Sequence, residues 1–347
     1  VSSVLTSDSC NKGFTHNEFK SISTITSVIA VLAGGVGAAR FLNGLLDSAT
    51  PVVAIVNTGD DTSLHGLYIS PDLDTITYTL ANAIDPTRGW GLADETWNAM
   101  SALTRYASHR PTESSAAPTW FNLGDKDLAT HFYRTARLQE GALLSDVTRE
   151  IAAAWNIPLQ IMPMTNDAVR TLITLANDCE AGSAGSRISF QEYFVKHRHS
   201  VAVSKIQFAG ADSAQPLCLD VLSDADSIVI APSNPLVSIA PIRALRGVDT
   251  LLAQRRDNVC AISPIVAGSA LKGPADRLMT ELGHDASVVG VARLYAPICG
   301  TLIIDHADAH LANHVEAEGM RCIVTNTIMK TPEVTAALAQ CALDATS

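Results

Sequence analysis

Val28-Ile-Ala-Val-Leu32 is a short apolar, β-branched run. It leads into Gly34-Gly35-Val36-Gly37, and Ala38-Ala39-Arg40-Phe41-Leu42 then opens a helix-like pattern. A buried strand, a glycine turn and a helix are the opening of an α/β nucleotide-binding fold. Pro51-Val-Val-Ala-Ile-Val56 repeats the buried-strand signature and ends in Asn57-Thr58-Gly59-Asp60-Asp61. Further strands are expected at 158–162, 227–231, 258–262, 287–291, 300–304 and 321–325, and helix-like stretches at 236–246, 274–282, 307–318 and 332–342. This alternation predicts a Rossmann-like α/β fold, a mostly parallel sheet with helices on both faces. The stretch from about 85 to 215 is less periodic and reads as a more helical insertion carrying substrate contacts, inside one domain spanning 28–347.

Composition narrows the class of partner. The chain has 347 residues, 47% hydrophobic, 17% charged and 5% aromatic, so it is neither disordered nor a coiled coil, and Ala, Val, Leu and Ile must fill its core. Lys and Arg number 24 against 35 Asp and Glu, a formal charge of −11, which argues against nucleic acid or an anionic membrane as partner. No apolar run reaches the roughly 18 residues that a membrane span needs. Residues 1–27, rich in Ser and Thr and without a continuous apolar stretch, read as a flexible extension. Seven dispersed cysteines, none at C-x-x-C spacing, fit buried thiols in a reducing cytoplasm rather than a disulfide framework.

The chemistry is expected where strands end. Gly34, Gly35 and Gly37 allow close backbone approach to a phosphate at a helix N-terminus, or simply a tight turn. The loop is neither a full dinucleotide fingerprint nor a lysine-containing P-loop, which weakens a dehydrogenase reading. Arg40 is a phosphate contact or a solvated helix charge. Asp60 and Asp61, with Asp72 and Asp74 in Ser70-Pro-Asp-Leu-Asp-Thr75, form two acidic pairs that can converge on one hard cation. Magnesium suits such a set, since it takes one or two carboxylates and completes its shell with water and substrate phosphate. The plainer reading makes these acids turn and helix caps. Gly124-Asp125-Lys-Asp-Leu-Ala-Thr130-His131, Asn166, and Ser233-Asn234-Pro235 are polar loop segments, the last suited to reading a purine base or to capping a helix. Lys272 is a candidate phosphate contact or a surface lysine.

Taken in order from about residue 28 to 340, these motifs resemble the 2-phospho-L-lactate transferase family of coenzyme F420 biosynthesis. The set comprises Gly34-Gly-Val-Gly37, Asn57-Thr-Gly-Asp-Asp61, Ser70-Pro-Asp-Leu-Asp-Thr75, Gly124 to His131, Ser233-Asn-Pro235 and Lys272-Gly-Pro-Ala-Asp-Arg277. Ala38 and Ala267 depart from it, standing where many members carry glycine or another small residue. The resemblance implies a phosphoryl-group transferase, to which the acidic pairs add magnesium and the dispersed thiols a cytoplasmic setting. It takes a guanosine diphosphate-activated three-carbon acid, the lactyl, enolpyruvyl or glyceryl form, as donor. The ribityl hydroxyl of the deazaflavin Fo attacks and GMP leaves. The implied roles are metal binding or hydroxyl activation for Asp60 and Asp61, supported by Asp72 and Asp74. The glycine loop and Lys272 would face donor phosphates, Ser233 and Asn234 the guanine, and Asp125, Thr130, His131 and Asn166 the deazaflavin. A homodimer is also implied. A rival class, nucleotide-sugar-binding regulators on the same core, typically continues the acidic loop with Gly-Gly-Ser-Ser-Gly, whereas this chain reads Asp61-Thr-Ser-Leu-His-Gly66.

Overall fold

The structure, a computed structural model, describes residues 27–346. The extension assigned to 1–27 lies outside the described residues except for Ser27.

The strands are β1 (Ile29–Ala33), β2 (Val52–Val56), β3 (Thr62–Leu64), β4 (Leu67–Ile69), β5 (Gln160–Pro163), β6 (Arg170–Leu175), β7 (Arg187–Ser189) and β8 (Val203–Ala209). They continue with β9 (Ser227–Ile230), β10 (Val259–Ile262), β11 (Ile265–Val266), β12 (Ser269–Ala270), β13 (Thr301–Asp305) and β14 (Arg321–Thr325). Seven of them form a central sheet in the order β14-β13-β10-β9-β1-β2-β5, with every neighbouring pair parallel. The chain leaves β1 toward β2 on one side and later returns to β9 on the other. That reversal opens a crevice at the carboxyl ends of β1 and β9, where ligands bind in open α/β sheets.

Side-chain alternation explains why both faces are covered. Ala30, Leu32, Val53 and Ile55 point into one core with Leu252, Tyr295 and Val315. Ile29, Val31, Val52 and Ala54 point into the other with Phe41, Leu73 and Leu338. A strand buried on both faces needs such a continuous apolar run, and β1, β2, β10 and β13 are buried along their whole length.

The helices that frame the crevice are α1 (Gly35–Asn43), α2 (Pro71–Leu80), α3 (Asn98–Ala107), α4 (Asp127–Gln139) and α5 (Leu144–Ala154). Between β2 and α2, β3 and β4 form a hairpin across His65 and Gly66, both at positive φ (56° and 77°), the geometry of a two-residue primed turn. The stretch from 85 to 215 contributes α3 to α5, then β5 to the central sheet, then an antiparallel sheet β7-β6-β8. That sheet packs Ile173, Leu175 and Val203 against Phe190 and Tyr193.

One expected strand is a helix. Residues 287–291 begin the helix Val288–Tyr295, whose N-cap Ser287 accepts a hydrogen bond from the Gly290 amide at 3.2 Å. Its valines are buried on several sides, so the apolar run carries no period by which to tell strand from helix. The cap decides it. The described cysteines are free thiols, with Cys218, Cys260 and Cys299 buried. No helix among the described residues is long and apolar enough to cross a membrane.

Candidate active site

A cavity of about 670 Å³ opens at the carboxyl ends of β1 and β9. Its wall includes Gly34, Gly35, Gly37, Arg40, Asp60, Asp72, Asp74, His131, Ser233, Asn234 and Lys272. The topology thus gathers most of the expected site residues. Asp61, Thr130, Asn166 and Asp125 are not part of that wall. Asp125 accepts hydrogen bonds from the Thr96 hydroxyl and the Asn98 and Ala99 amides, at the start of α3. Those bonds, Thr96 first, hold its carboxyl down at about 2. Asn166 accepts from the Ser145 amide at 2.8 Å, at the start of α5.

The glycine loop is built for close approach. Gly35 has φ +70°, a conformation that L side chains rarely adopt. A Cβ at Gly34 would meet Asp72 Oδ2 at 2.8 Å, and one at Gly37 would run into the Pro232 carbonyl. The Gly35 amide donates to Asp72 Oδ1 at 2.9 Å, so α1 and α2 meet at their N-termini.

Asn57 is the hub that the residue pattern did not single out. Its side-chain amide donates to Asp60 Oδ2 at 3.2 Å and to Asp72 Oδ2 at 2.9 Å, and its Oδ1 accepts from the Gly59 amide at 2.8 Å. One neutral amide therefore holds two buried carboxylates together. Burial, then the charge of Asp72, pushes the Asp60 carboxyl well above the ordinary range. Burial raises Asp72 to about 6. Asp60 Oδ1 has no hydrogen-bond partner. Paired, buried acids with an orphaned oxygen and no protein cation beside them fit a divalent cation as their missing partner.

The other two acids are engaged elsewhere. Asp61 accepts from Ser70 Oγ at 2.9 Å, and burial pushes its carboxyl up to about 7. Asp74 takes both guanidinium nitrogens of Arg134, which reaches it from α4 and is itself buried. Among the described residues, no cluster of three or more His, Cys, Asp or Glu has metal-holding geometry. A cation here would accordingly rest on the two-carboxylate set plus substrate.

Two cationic side chains, Arg40 and Lys272, line the same cavity as the glycine loop. Arg40 follows it on α1, and burial, then the Arg40 charge, lowers the Lys272 ammonium. Lys272 Nζ would lie 2.7 Å from a Cβ at Gly89. Ser233 Oγ is buried without a partner, while Asn234 Oδ1 caps the following turn by accepting from the Leu236 amide at 2.9 Å. The cap falls to Asn234, not Ser233.

An aromatic wall that the residue motifs do not mark completes the cavity. Trp90, Trp120, Phe121, Phe190 and Phe194 line the cavity, with Phe190 and Phe194 stacked at 5.5 Å. Gln191, between them, donates to the Asp60 carbonyl at 2.9 Å. The Gly89-Trp90-Gly91 triplet was the available signal, since glycines flanking an exposed tryptophan mark a loop built around that ring.

A switch-point crevice lined by a glycine loop, paired buried acids and two cationic side chains is where an α/β nucleotide-binding fold takes its ligand. The chain belongs to the 2-phospho-L-lactate transferase CofD family, whose model matches residues 29–340. It is 38% identical over 322 residues to the phosphoenolpyruvate transferase of Kitasatospora aureofaciens, covering 91% of this chain and 96% of that one. It is 37% identical over 333 residues to the protein of that name from Mycobacterium tuberculosis strain H37Rv, covering 91% and 98%. The fold is shared with a UPF0052-family protein from Bacillus halodurans, at TM-score 0.55 and 15% identity over 92% of this chain and 99% of that one.

Proposed function

We propose that the protein transfers a phospho-three-carbon-acid group from a guanosine diphosphate-activated donor to the ribityl hydroxyl of the deazaflavin Fo, releasing GMP. The observation that carries this reading is the Asp60–Asn57–Asp72 centre facing the glycine loop in one cavity. Asp60 and Asp72 would hold magnesium, which when bound supplies charge neutralisation on donor phosphate oxygens. The amides at the start of α1 and the Arg40 and Lys272 side chains bind the diphosphate. The proton of the attacking hydroxyl passes to whichever carboxylate of this acidic cluster the cation leaves free. The aromatic wall stacks the flat rings of the two substrates. Relatives named phosphoenolpyruvate transferases favour the enolpyruvyl form of the donor over the lactyl and glyceryl forms. The family resemblance adds a homodimer, the dispersed thiols a reducing cytoplasm, and the formal charge of −11 argues against nucleic acid or an anionic membrane as partner.

The test offers each guanylated donor with Fo and magnesium and follows the product by mass. GMP release with consumption of Fo is expected, abolished by a chelator and restored by magnesium. Full activity without any divalent cation would remove the carboxylate–cation account. Tight binding of a UDP-sugar with no turnover of Fo would replace the transferase by a regulatory module.

A further inference from the structure

Lys272 and Arg277 belong to one segment, yet only the lysine lines the cavity. Arg277 lies on the helix Ala275–Glu281, and its guanidinium turns to the insertion instead. Nε donates to Glu281 Oε1 at 2.6 Å, Nη1 to the His199 carbonyl and Nη2 to the Ser200 carbonyl at 2.9 Å. Glu281 Oε2 in turn accepts from the Val203 amide at 3.0 Å. The Arg277–Glu281 pair therefore grips the insertion at His199, Ser200 and Val203.

That stretch needs holding. Arg198 and His199 are consecutive non-glycine residues at positive φ, 48° and 44°. Such conformations persist only where the surroundings over-determine them, and they collect at functional sites. Just before them, Glu192–Lys196 is a single turn of π-helix, another feature frequent at functional sites. Its Phe194 lies on the cavity wall, stacked on Phe190, and the His199 ring centre is 5.7 Å from that of Phe194. Gln191 ties the same wall to the backbone of Asp60. Leu278, on the helix of Arg277, shares an apolar core with Phe190 and Tyr193. Apolar packing is non-directional, whereas a planar fork on two adjacent carbonyls fixes one orientation.

We infer that Arg277 is a positioning residue for the transfer reaction. By fixing the His199–Ser200 backbone it sets where the Phe190–Phe194 wall stands relative to Lys272 on the same cavity. Arg277 acts through that wall and lies off the cavity itself. The inference rests on the proposed function for the ringed substrates that the wall stacks. It goes beyond that function in naming what orients the wall.

The experiment uses Arg277→Lys, Phe194→Ala and the double variant. Arg277→Lys keeps the charge and loses the fork. Hydrogen–deuterium exchange over residues 190–203 should quicken about 10-fold in Arg277→Lys, while the central sheet keeps its protection. In steady-state assays, Phe194→Ala marks the substrate on the wall as the one, Fo or donor, whose KM it raises, by about 10-fold. Arg277→Lys should raise that same KM roughly 5- to 10-fold and hold kcat within about threefold, as expected when stacking is lost equally from ground and transition states. In the double variant, KM should stay within about twofold of Phe194→Ala alone, because the two changes act through one ring. Unchanged exchange over 190–203 overturns this inference alone, and so does a double-variant KM at the product of the single effects. Phe194→Ala with both KM values unchanged overturns it without any change at position 277. No turnover of Fo with any donor overturns the proposed function and this inference together.

Discussion

Two pairs of carboxylates share one cavity wall, and they resolve the same physical problem differently. Asp74 and Asp127 are buried beside partners supplied by the fold, the Arg134 guanidinium at Asp74 and the His131 ring at Asp127. Asp60 and Asp72 are buried with only the neutral amide of Asn57 between them. The consequence shows in their acidity: Asp127 stays below the ordinary range, while Asp60 and Asp72 are pushed above it. A carboxylate paired with a charge is stable ionised as folded, whereas two carboxylates sharing one neutral amide repel each other and favour the protonated form. The difference teaches where to look for the reaction. Acids of one type line one wall, and at Asp60 and Asp72 the fold supplies a neutral amide where Asp74 has a guanidinium.

The sharpest way to break this comparison is to remove the internal cation. Arg134→Gln leaves Asp74 buried and unpaired, and stability should drop by about 3–5 kcal/mol, read as a fall in the denaturation midpoint. Restoring neutrality with Asp74→Asn in the same protein should recover much of that loss. A single variant as stable as wild type would show that Arg134 does not compensate Asp74.

The opposite pattern is expected at the uncompensated pair. Asp60→Asn or Asp72→Asn should lower kcat by roughly two to three orders of magnitude, about 2.7–4 kcal/mol of transition-state stabilisation. The melting curve in chelator should stay level or rise, because a repulsive pair has been relieved. Isothermal titration with magnesium should lose its signal in both variants. Near-normal turnover in either would move the reaction away from this centre.

Acidity offers a third test. Burial raises the Asp61 carboxyl from 3.8 to about 7. Its contribution to stability is therefore present in full below pH 3.8 and is lost as pH rises through about 7. In chelator, wild type should lose stability between pH 5 and 7 on the order of 1 kcal/mol or more, and Asp61→Asn should reduce that slope by its own share, leaving the part due to Asp60 and Asp72. Because Asp61 lies off the cavity wall, the same variant should keep most of its kcat. A slope in Asp61→Asn equal to that of wild type would remove Asp61 from the titration.

The smallest effect tests geometry alone. Ala267 has φ 51°, the left-handed conformation that L residues adopt at a cost, and its amide donates to Asp308 Oδ2 at 2.9 Å. Ala267→Gly should stabilise the fold by up to about 1 kcal/mol with activity unchanged. Loss of stability would mean that the methyl group contributes packing larger than the backbone strain.

The fold was legible because it rests on local periodicity. The buried run at β1, the glycine turn and the repeated run at β2 predict a parallel sheet whatever their distant neighbours are. The same local logic failed at Val288–Tyr295, where an all-round buried helix shows no period and only its Ser287 cap marks it. It also named the acidic loop and the glycine loop, since both sit where strands must end.

What the sequence could not rank was the acids themselves. Asp72 meets the Gly35 amide 37 residues away, Asp74 meets Arg134 at 60, and Gln191 reaches the Asp60 carbonyl across 131. Each of these partners is brought in by the packing of another helix or of the insertion. Strand, turn and loop follow from backbone sterics and apolar spacing that every short segment carries within itself. The protonation and role of a buried carboxylate follow from which charges lie within a few ångströms. Only the tertiary structure determines that, because electrostatic neighbours are chosen by packing and not by order along the chain.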